Sequence, residues 1–427
     1  MPGRRHRGAG VSTPPGAGTP PSHVVVVGAS AAGLSVCEGL RRLDYRGRLT
    51  LIGDEPHVPY DRPPLSKQLL AGAWEPERLH LRDQRILDEL DLDLRLGARA
   101  TGLDTTGRQV ELADGERVGY DQLVIATGTR ARRLPGTEGI SGVHVLRTLD
   151  DALALRDNLR GKPRLVVVGG GFVGAEAAAV ARELGCDVTL VTDTAMPLAD
   201  VLGPELGAML TAVHTEHGVR VQAGVRVDRI TSEDGRVTGV RLADGRTLTA
   251  DAVLVGIGAV PNTEWLAGSG VPVDNGVLCD TTLSAGDGVW AAGDIASWPA
   301  PDGQRWRIEH RTNAAEQGLL VARNILAGPG AASAFTTVPY VWSDQYDLKI
   351  QIYGRPRGAD HIRLVEGDVA GRKLVALYGK DGAVCAAVGV NMIRAARTHR
   401  AQVAAAAPWE PGTEAARESL VTTGGAR

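Results

Sequence analysis

A chain of 427 residues is long enough for two or three domains with well-buried cores. Its formal net charge of −3 excludes a general attraction to nucleic acid or to an anionic membrane surface. The four cysteines, Cys37, Cys186, Cys279 and Cys385, are scattered, with no Cys-x-x-Cys pair. This spacing argues against a disulfide scaffold, a zinc site, iron–sulfur ligation and a redox-active disulfide.

The chain begins with a segment that lacks the periodicity of folded elements. Residues 1–22 are basic and then rich in Pro and Gly, and they hold no apolar stretch that would serve as a signal peptide. We expect a disordered tail on a cytoplasmic protein. No apolar run in the chain reaches the roughly 18 residues of a membrane span, so no membrane segment is predicted.

The first predicted strand runs directly into a glycine-rich turn. Val24–Val27 is fully apolar, as expected of a strand buried between two layers, and the sequence Gly28-Ala-Ser-Ala-Ala-Gly33 follows it. A helix and a second apolar strand, Leu49–Ile52, come next, and Asp54 lies 21 residues after Gly33. A turn that binds pyrophosphate and an acid about 20 residues later that binds a ribose are typical of a dinucleotide-binding unit.

A loop stiffened by proline follows this unit and ends in a short helix near Lys67. Lys67 is one of five lysines in the chain, which argues against an ordinary solvated lysine. Short alternating strands are predicted at Leu94–Leu103 and Gln109–Leu112, and a further apolar strand ends at Gly128. Arg147 closes this part of the chain.

The second glycine turn repeats the first pattern. Leu165–Val168 is again apolar, and it enters the sequence Gly169-Gly-Gly171-Phe-Val-Gly174. Gly28 and Gly169 are expected to make the tight turns. Gly171 lets the backbone approach a phosphate, and Gly33 and Gly174 let helix pack on strand. Two such units in one chain imply two dinucleotides, and a resident FAD with a visiting nicotinamide is the natural pair.

The second unit offers two positions for the residue that contacts the ribose. Its return strand, Val188–Val191, is followed by Thr192, where an acid is usual, and by Asp193, which lies 19 residues after Gly174. A carboxylate here would repel a 2′-phosphate, and the Arg or Lys of an NADP pocket does not appear between Thr189 and Ala208. We therefore predict NADH rather than NADPH.

Glu176 follows the second glycine turn, in the first turn predicted for the second helix. It either interacts only with the helix dipole or lies beside the nicotinamide, paired with Lys67 at the flavin edge. Asp294 ends another apolar strand with Gly293, where it either binds the flavin's ribityl hydroxyls or merely caps a turn. Trp342 either packs in a core or lies along the isoalloxazine ring.

The later segments define a domain division. Because the strand before Gly293 suits the last strand of the first domain, the second unit is predicted to be an insertion. The expected domains are an FAD-binding domain (23–145 and 268–330), an NAD-binding domain (146–267) and a C-terminal αβ domain (331–407). Residues 408–427 have no periodicity and are expected to be a mobile tail.

Taken together, these motifs resemble the FAD-dependent ferredoxin reductases that serve bacterial cytochrome P-450 monooxygenases and Rieske-type dioxygenases. The resemblance covers roughly residues 23–400. It rests on five short motifs: Pro59–Lys67, Gly169–Glu176, Ala292-Gly-Asp294, Asn313–Gln317 and Trp342-Ser-Asp-Gln345. It implies an α/β, glutathione-reductase-like flavoprotein with two Rossmann-type domains and a C-terminal αβ domain.

The same resemblance implies site residues. FAD contacts are expected at Gly28, Ala32, Gly33, Asp54, Lys67, Ala100, Arg147, Gly293, Asp294, Arg311 and Trp342. NADH contacts are expected at Gly169, Gly171, Phe172, Val173, Gly174, Glu176, Asp193 and Gly258. Arg311 is a departure, because many members have Trp or another apolar residue against the flavin ring, and Thr192 is a second. No metal site is expected.

The predicted reaction takes a hydride from NADH to FAD and then passes single electrons to a small ferredoxin, which feeds an oxygenase. Lys67 and Glu176 are expected to orient and tune the site, and the protein to be a monomer or weak dimer. An exposed set of arginines is expected to form either a docking face or a solvated basic surface: Arg355, Arg357, Arg394, Arg397 and Arg400. The alternatives are an NADH:rubredoxin or NADH:quinone reductase, an NADH oxidase, or an NADH-sensing flavoprotein similar to apoptosis-inducing factor.

Overall fold

A computed structural model of the chain describes residues 20–410, whose strands form seven sheets. The tail predicted at 1–22 lies outside these residues except for its last three positions, and residues 411–427 also lie outside them. Within the described part, no helix is long and apolar enough to cross a membrane.

The first sheet combines two distant parts of the chain. Its six strands are, in spatial order, Ser284–Gly286, Val289–Ala291, Gln122–Ile125, His23–Val27, Arg48–Ile52 and Asp93–Arg95. His23–Val27 pairs in parallel with a neighbour on each side. Its four valines are at most 3% exposed, as expected for a strand covered on both faces.

Two helices pack tightly against each other beside this sheet. Ala31–Arg42 follows the first glycine turn, and Arg311–Ala327 comes almost 300 residues later. A Cβ atom on Gly318 would lie 2.5 Å from the carbonyl oxygen of Ala32, and one on Gly39 would lie 2.7 Å from the Cβ of Ala322. The helices therefore approach closely because glycine stands at both contacts.

The strand predicted at Leu94–Leu103 was wrong as a single element. Asp93–Arg95 belongs to the first sheet, whereas Ala100–Asp104 starts a separate antiparallel meander with Gln109–Leu112 and Arg117–Gly119. Gly97, with φ of +68°, lies between the two strands. The chain turns there into the left-handed region that glycine adopts most easily.

The second sheet carries the second glycine turn. Its strands, all paired in parallel, follow the order Arg220–Gln222, Asp187–Val191, Arg164–Val168, Ala252–Val255 and Val143–His144. The helices of this region are Leu149–Leu159, Phe172–Glu183, Ala199–Leu202 and Pro204–Glu216. An antiparallel sheet of Val227–Glu233, Arg236–Leu242 and Thr247–Thr249 packs on the parallel sheet, where Val240 shares a buried cluster with Val166 and Val253.

Short elements connect these two regions. Thr129–Ala131 pairs with Ala259–Pro261 where the chain passes between the sheets. Four strands form another small sheet: Val273–Asp274, Gly276–Leu278, Ala296–Pro299 and Arg305–Trp306. The remaining short helices are Pro63–Ser66, Pro76–Leu79, Gln84–Glu89, Glu264–Leu266 and Pro329–Ala331.

The C-terminal sheet packs on the second unit. Its antiparallel strands follow the order Tyr340–Gln345, Leu348–Gly354, Ala383–Val390, Lys373–Lys380 and His361–Asp368. Leu206 and Leu210 of the helix Pro204–Glu216 share one buried cluster with Leu348 and Ile350 of this sheet. Two short helices, Ile393–Thr398 and Arg400–Ala404, follow the strand Ala383–Val390.

The packed part of the chain continues past the tail boundary expected at residue 408. Pro408 forms a bridge with Ala383. The ring of Trp409 stacks on His361 with 5.8 Å between ring centroids, and the guanidinium of Arg363 lies 5.1 Å from the centroid of the indole ring. At least the first residues of the segment are therefore held against the C-terminal sheet.

Gly318 offers a test of the helix packing. We expect Gly318→Ala to destabilise the protein by about 1–3 kcal/mol, because the added methyl group meets backbone rather than a flexible side chain. The melting temperature of the FAD-loaded protein measures this. Gly119→Ala is the control, since the nearest atom to its added Cβ would be 3.9 Å away. Equal melting temperatures for the two variants would contradict the packing argument.

Candidate dinucleotide cleft

One continuous cleft joins the two glycine turns. Its volume of about 1410 Å³ exceeds the roughly 300–1,000 Å³ of an ordinary single-ligand pocket, so more than one ligand has room in it. Most of the predicted site residues line it: Gly28, Ala32, Asp54, Lys67, Ala100, Arg147, Gly171, Phe172, Val173, Glu176, Gly258, Gly293, Asp294, Arg311 and Trp342.

The first turn is fixed by backbone contacts that only glycine allows. Gly28 has φ of +125°, and a Cβ there would lie 2.0 Å from the carbonyl oxygen of Ala126. A Cβ on Gly33 would lie 2.0 Å from the carbonyl oxygen of Gly28, so Gly33 serves the packing behind the turn. The helix starts directly after Ser30, whose side chain does not cap it. Its first N–H groups therefore remain available to an anion.

The second turn has the same construction. Gly169 has φ of +115° and lies against the carbonyl oxygen of Gly256, and Gly174 lies against Gly169. Both, like Gly33, stand behind the cleft rather than in its lining. Gly171, the residue before the helix, differs, because a Cβ there would meet no atom within 4 Å. The open side of Gly171 faces the cleft, where a phosphate could approach the backbone.

The two candidate ribose acids occupy different environments. Asp54 is exposed at the rim of the cleft, directly after the strand Arg48–Ile52. In the second unit, Thr192 is 4% exposed and its Oγ1 lies 2.8 Å from Oγ1 of Thr194. Asp193 is exposed and does not line the cleft. A neutral hydroxyl therefore stands directly at the end of the second strand.

Lys67 and Glu176 form a buried ion pair in the cleft. Nζ of Lys67 lies 2.7 Å from Oε2 of Glu176, and their side chains are 10% and 4% exposed. Glu176 is the fifth residue of the helix Phe172–Glu183, so it lies just beyond the first turn. Ser66 donates to Oε2 at 2.5 Å and Ser343 donates to Oε1 at 2.6 Å. Three donors thus hold one carboxylate, which excludes a simple helix-start role.

A second ion pair holds the strand end at Gly293. Nη2 of Arg147 lies 2.7 Å from Oδ2 of Asp294, and Nε of Arg147 donates to the carbonyl oxygen of Thr129 at 3.0 Å. Gly293 has φ of +82°, and its N–H donates to the side chain of Gln317. Asp294 is therefore oriented by Arg147 and does more than end a strand.

Arg311 and His310 mark the start of the long helix at the cleft. Nε of Arg311 donates to Oδ1 of Asp61 at 2.6 Å, so this departure from the family pattern forms a charged pair. His310 also lines the cleft, and its buried Nδ1 has no hydrogen-bond partner within residues 20–410. Burial lowers the pKa of His310 to about 4, so the ring is neutral at pH 7.

These orphaned atoms indicate a polar ligand. The hydroxyl of Thr129 is likewise buried, lines the cleft and lacks a partner among the described residues. Buried polar groups are normally hydrogen-bonded, so the two orphans are available to a ligand such as a flavin. Sequence reasoning missed His310, Ser66 and Ser343.

Trp342 belongs both to the cleft and to an aromatic stack. Its ring stacks on Tyr340 with 5.7 Å between centroids, and Tyr340 stacks on Tyr353 at 4.9 Å. None of the four cysteines lines the cleft. Burial raises the pKa of Cys37 and of Cys279 to about 12 and that of Cys385 to about 11. No thiolate is therefore available beside the turns.

Comparison with known proteins agrees with this geometry. Residues 22–318 match the family described as pyridine nucleotide-disulphide oxidoreductase, and residues 340–420 match the reductase C-terminal family. The chain is 39% identical to rhodocoxin reductase of Rhodococcus erythropolis over 81% of each chain. It is 38% identical to the ferredoxin–NAD(+) reductase component of the biphenyl dioxygenase system of Paraburkholderia xenovorans, over 87% of this chain and 90% of that one.

A solved structure extends the agreement to three dimensions. Putidaredoxin reductase, in its covalent complex with putidaredoxin, superposes with a TM-score of 0.86 at 34% identity, covering 91% of this chain and 94% of that one. The predicted α/β, glutathione-reductase-like fold is confirmed, as is the family resemblance. The chain therefore belongs to the pyridine nucleotide-disulphide oxidoreductase family and, within it, to the ferredoxin reductases.

Proposed function

We propose that this protein is an FAD-dependent reductase that passes electrons from NADH to a small iron–sulfur ferredoxin, which supplies a cytochrome P-450 or a Rieske-type oxygenase. The observation that carries the proposal is the buried Lys67–Glu176 pair, which stands in one cleft with both glycine turns and without a thiol. The named relatives act with ferredoxins, which supports the same partner class here.

The two sheets divide the cofactors between them in this proposal. The first sheet, built from residues 23–125 and 284–291, would hold FAD at the first turn. Its contacts are Gly28, Ala32, Asp54, Ala100, Gly293, Asp294, Trp342 and the orphaned Nδ1 of His310. The second sheet would hold NADH at Gly171, Phe172, Val173 and Gly258, with Gly169 and Gly174 shaping the turn. We further propose a monomer or weak dimer in the cytoplasm.

FAD, when bound, accepts electrons in pairs and releases them singly. The residues of this chain supply position and charge. Lys67 presents an ammonium group to the cleft while Glu176 balances it, so the pair costs less than either charge buried alone. Arg147 orients Asp294 for hydroxyl groups, and the helix start at Arg311 directs its N–H groups into the same space. The neutral ring of His310 can donate or accept one hydrogen bond there.

The proposed docking face for the ferredoxin is smaller than the arginine set named from the sequence. Arg355 stacks over Trp306 and Arg357 pairs with Asp200 at 2.6 Å, so both are engaged within the protein. Arg394, Arg397 and Arg400 are exposed on the two C-terminal helices, and no carboxylate of residues 20–410 pairs with them. These three cations suit an acidic partner.

Electron transfer to ferredoxin is the direct test. We expect NADH to reduce the bound FAD within seconds in stopped flow, and added ferredoxin to accelerate cytochrome c reduction. Replacing Arg394, Arg397 and Arg400 together by Gln should raise the KM for ferredoxin about tenfold at low salt and less at high salt, because the lost attraction is electrostatic. Arg160→Gln, at a distant exposed site, is the matched control.

Other outcomes would replace this proposal. A cytochrome c rate indifferent to ferredoxin would eliminate the ferredoxin reductase. Rapid turnover with oxygen, a quinone or rubredoxin alone would then identify an oxidase or another reductase. Flavin reduction that takes minutes would favour an NADH-sensing role.

The charge of Glu176 is a second test. Glu176→Gln keeps the shape but removes the partner charge of Lys67, and its amide nitrogen can no longer accept a hydrogen bond from one of the two serines. We expect FAD to remain bound and the limiting rate of its reduction by NADH to fall about ten- to a hundredfold, the value of one or two charge-assisted hydrogen bonds. Lys67→Gln should have an effect of similar size. Parent rates in both variants would show that the pair is only structural.

Thr192 tests the choice of nucleotide. We expect the parent to have the higher kcat/KM with NADH, since the end of the second strand offers no cation to a 2′-phosphate. Thr192→Glu should raise the ratio of NADH to NADPH kcat/KM about tenfold, through hydrogen bonds to the ribose and repulsion of the phosphate. The same ratio measured in Asp193→Asn shows how much the neighbouring carboxylate contributes to the preference for NADH. A clear NADPH preference in the parent would refute the assignment.

A further inference from the structure

Behind the Lys67–Glu176 pair runs a buried chain of hydrogen bonds that leads away from the cleft. Ser343, which donates to Glu176, lies 3.2 Å from Nε2 of Gln345. Oε1 of Gln345 lies 3.0 Å from Nε2 of His214, and Nδ1 of His214 lies 3.3 Å from the hydroxyl of Tyr346. The side chains between the cleft and Tyr346 are almost fully enclosed, since Ser343 and His214 are 0% exposed and Gln345 is 1% exposed.

The chemistry of the groups gives this chain one direction. The carboxylate of Glu176 only accepts, so the hydroxyl of Ser343 must donate to it. The lone pairs of Ser343 then accept from the amide N–H of Gln345, which turns the amide oxygen towards His214. Nε2 of His214 must therefore carry a hydrogen, and Nδ1 accepts from Tyr346. Every donor points towards Glu176.

Two observations concern the end of the hydrogen-bond chain at His214 and Tyr346, and both indicate a defined geometry there. Burial lowers the pKa of His214; the hydrogen bond with Gln345 partly opposes this, and His217 adds a smaller lowering, so the ring stays neutral and its two nitrogens have different partners, Gln345 and Tyr346. Tyr346 has φ of +54°, a left-handed conformation that bulky residues rarely adopt. This backbone places its ring against His217, with a centroid distance of 3.8 Å, and within reach of His214.

We propose that His214 is a positioning residue for the reaction: as its Nε2–H tautomer it locks the amide of Gln345, and through Ser343 it fixes the carboxylate of Glu176 against Lys67. The chain crosses from the helix Pro204–Glu216 to the C-terminal sheet and back to the helix of Glu176. The proposal rests on the proposed function, because it assigns His214 a part in the transfer from NADH.

The effect of removing His214 on the site is transmitted by the side-chain amide of Gln345. Without the imidazole N–H, the oxygen of Gln345 is buried without a donor, which favours a flip of the amide. The oxygen then faces Ser343, whose hydroxyl turns to it and leaves Oε1 of Glu176. Ser343 is the sole side-chain donor to that oxygen among the described residues. Glu176 would then be free to rotate, and Lys67 would lose its fixed partner geometry.

Four variants of the FAD-loaded protein test this. His214→Leu removes the donor, and we expect the limiting rate of flavin reduction by NADH to fall about tenfold while the half-saturating NADH concentration changes less than about threefold. His214→Gln, whose amide N–H takes the place of Nε2–H, should restore most of the rate. Ser343→Ala should be as slow as His214→Leu, and the double variant His214→Leu/Ser343→Ala no slower than either, because both cut the same chain.

The matched control is His217→Leu. His217 lies three residues away and stacks on the same Tyr346, but its Nδ1 bonds to the carbonyl oxygen of Val213 and it is not part of the chain. We expect a normal reduction rate. Loss of stability alone would slow His217→Leu as well and would not be rescued by Gln at 214.

A measurement that does not depend on turnover completes the test. In protein labelled with ¹⁵N-histidine, the His214 signal, assigned by its loss in His214→Gln, should be that of a neutral Nε2–H ring, and it should shift in Ser343→Ala. An Nδ1–H tautomer, additive effects in the double variant or no rescue by Gln would overturn the proposal. If NADH fails to reduce the parent, the proposed function falls while the tautomer still tests the chain.

Discussion

The carboxylate of Glu176 is the group on which the arrangement of this protein depends. An ionised carboxylate that is 3% exposed is stable only when donors surround it. Those donors come from separate parts of the chain: Lys67 and Ser66 from the loop after the first unit, and Ser343 from the C-terminal sheet. The buried charge therefore requires the loop, the C-terminal sheet and the helix of Glu176 to meet at one point, which lies in the cleft between the glycine turns.

Sequence reasoning succeeded where the determinants are local. Each glycine turn follows an apolar strand directly, and a helix and a second apolar strand follow it within the same unit. The parallel strands and the helices after the turns could therefore be predicted from spacing. The pairing of Lys67 with Glu176 was only one of two alternatives from the sequence, since no local pattern connects two residues separated by 109 positions.

The features that the sequence did not predict depend on the folded arrangement of the chain. Ser66 and Ser343 became recognisable only when folding brought them to Glu176, from 110 and 167 positions away. The single strand predicted at Leu94–Leu103 failed because alternation does not reveal a turn at Gly97 that changes sheets. Arg355 and Arg357 were taken with the exposed arginines, yet Trp306 and Asp200 engage them. For the serines and the arginines, the deciding partner is remote in sequence.

Two features determine which groups carry charge in the cleft: no thiol lines it, and a chain of hydrogen bonds lies behind Glu176. The cysteines are protonated and none of them lines the cleft, so they offer no covalent route for electrons and the charges in the cleft are those of fixed groups. Those groups are ordered from behind by the C-terminal sheet, through Ser343 and Gln345. A domain that only offered a docking surface would have no need to bury polar side chains against the helix of Glu176. Its position there makes the C-terminal sheet part of the surroundings of the Lys67–Glu176 pair.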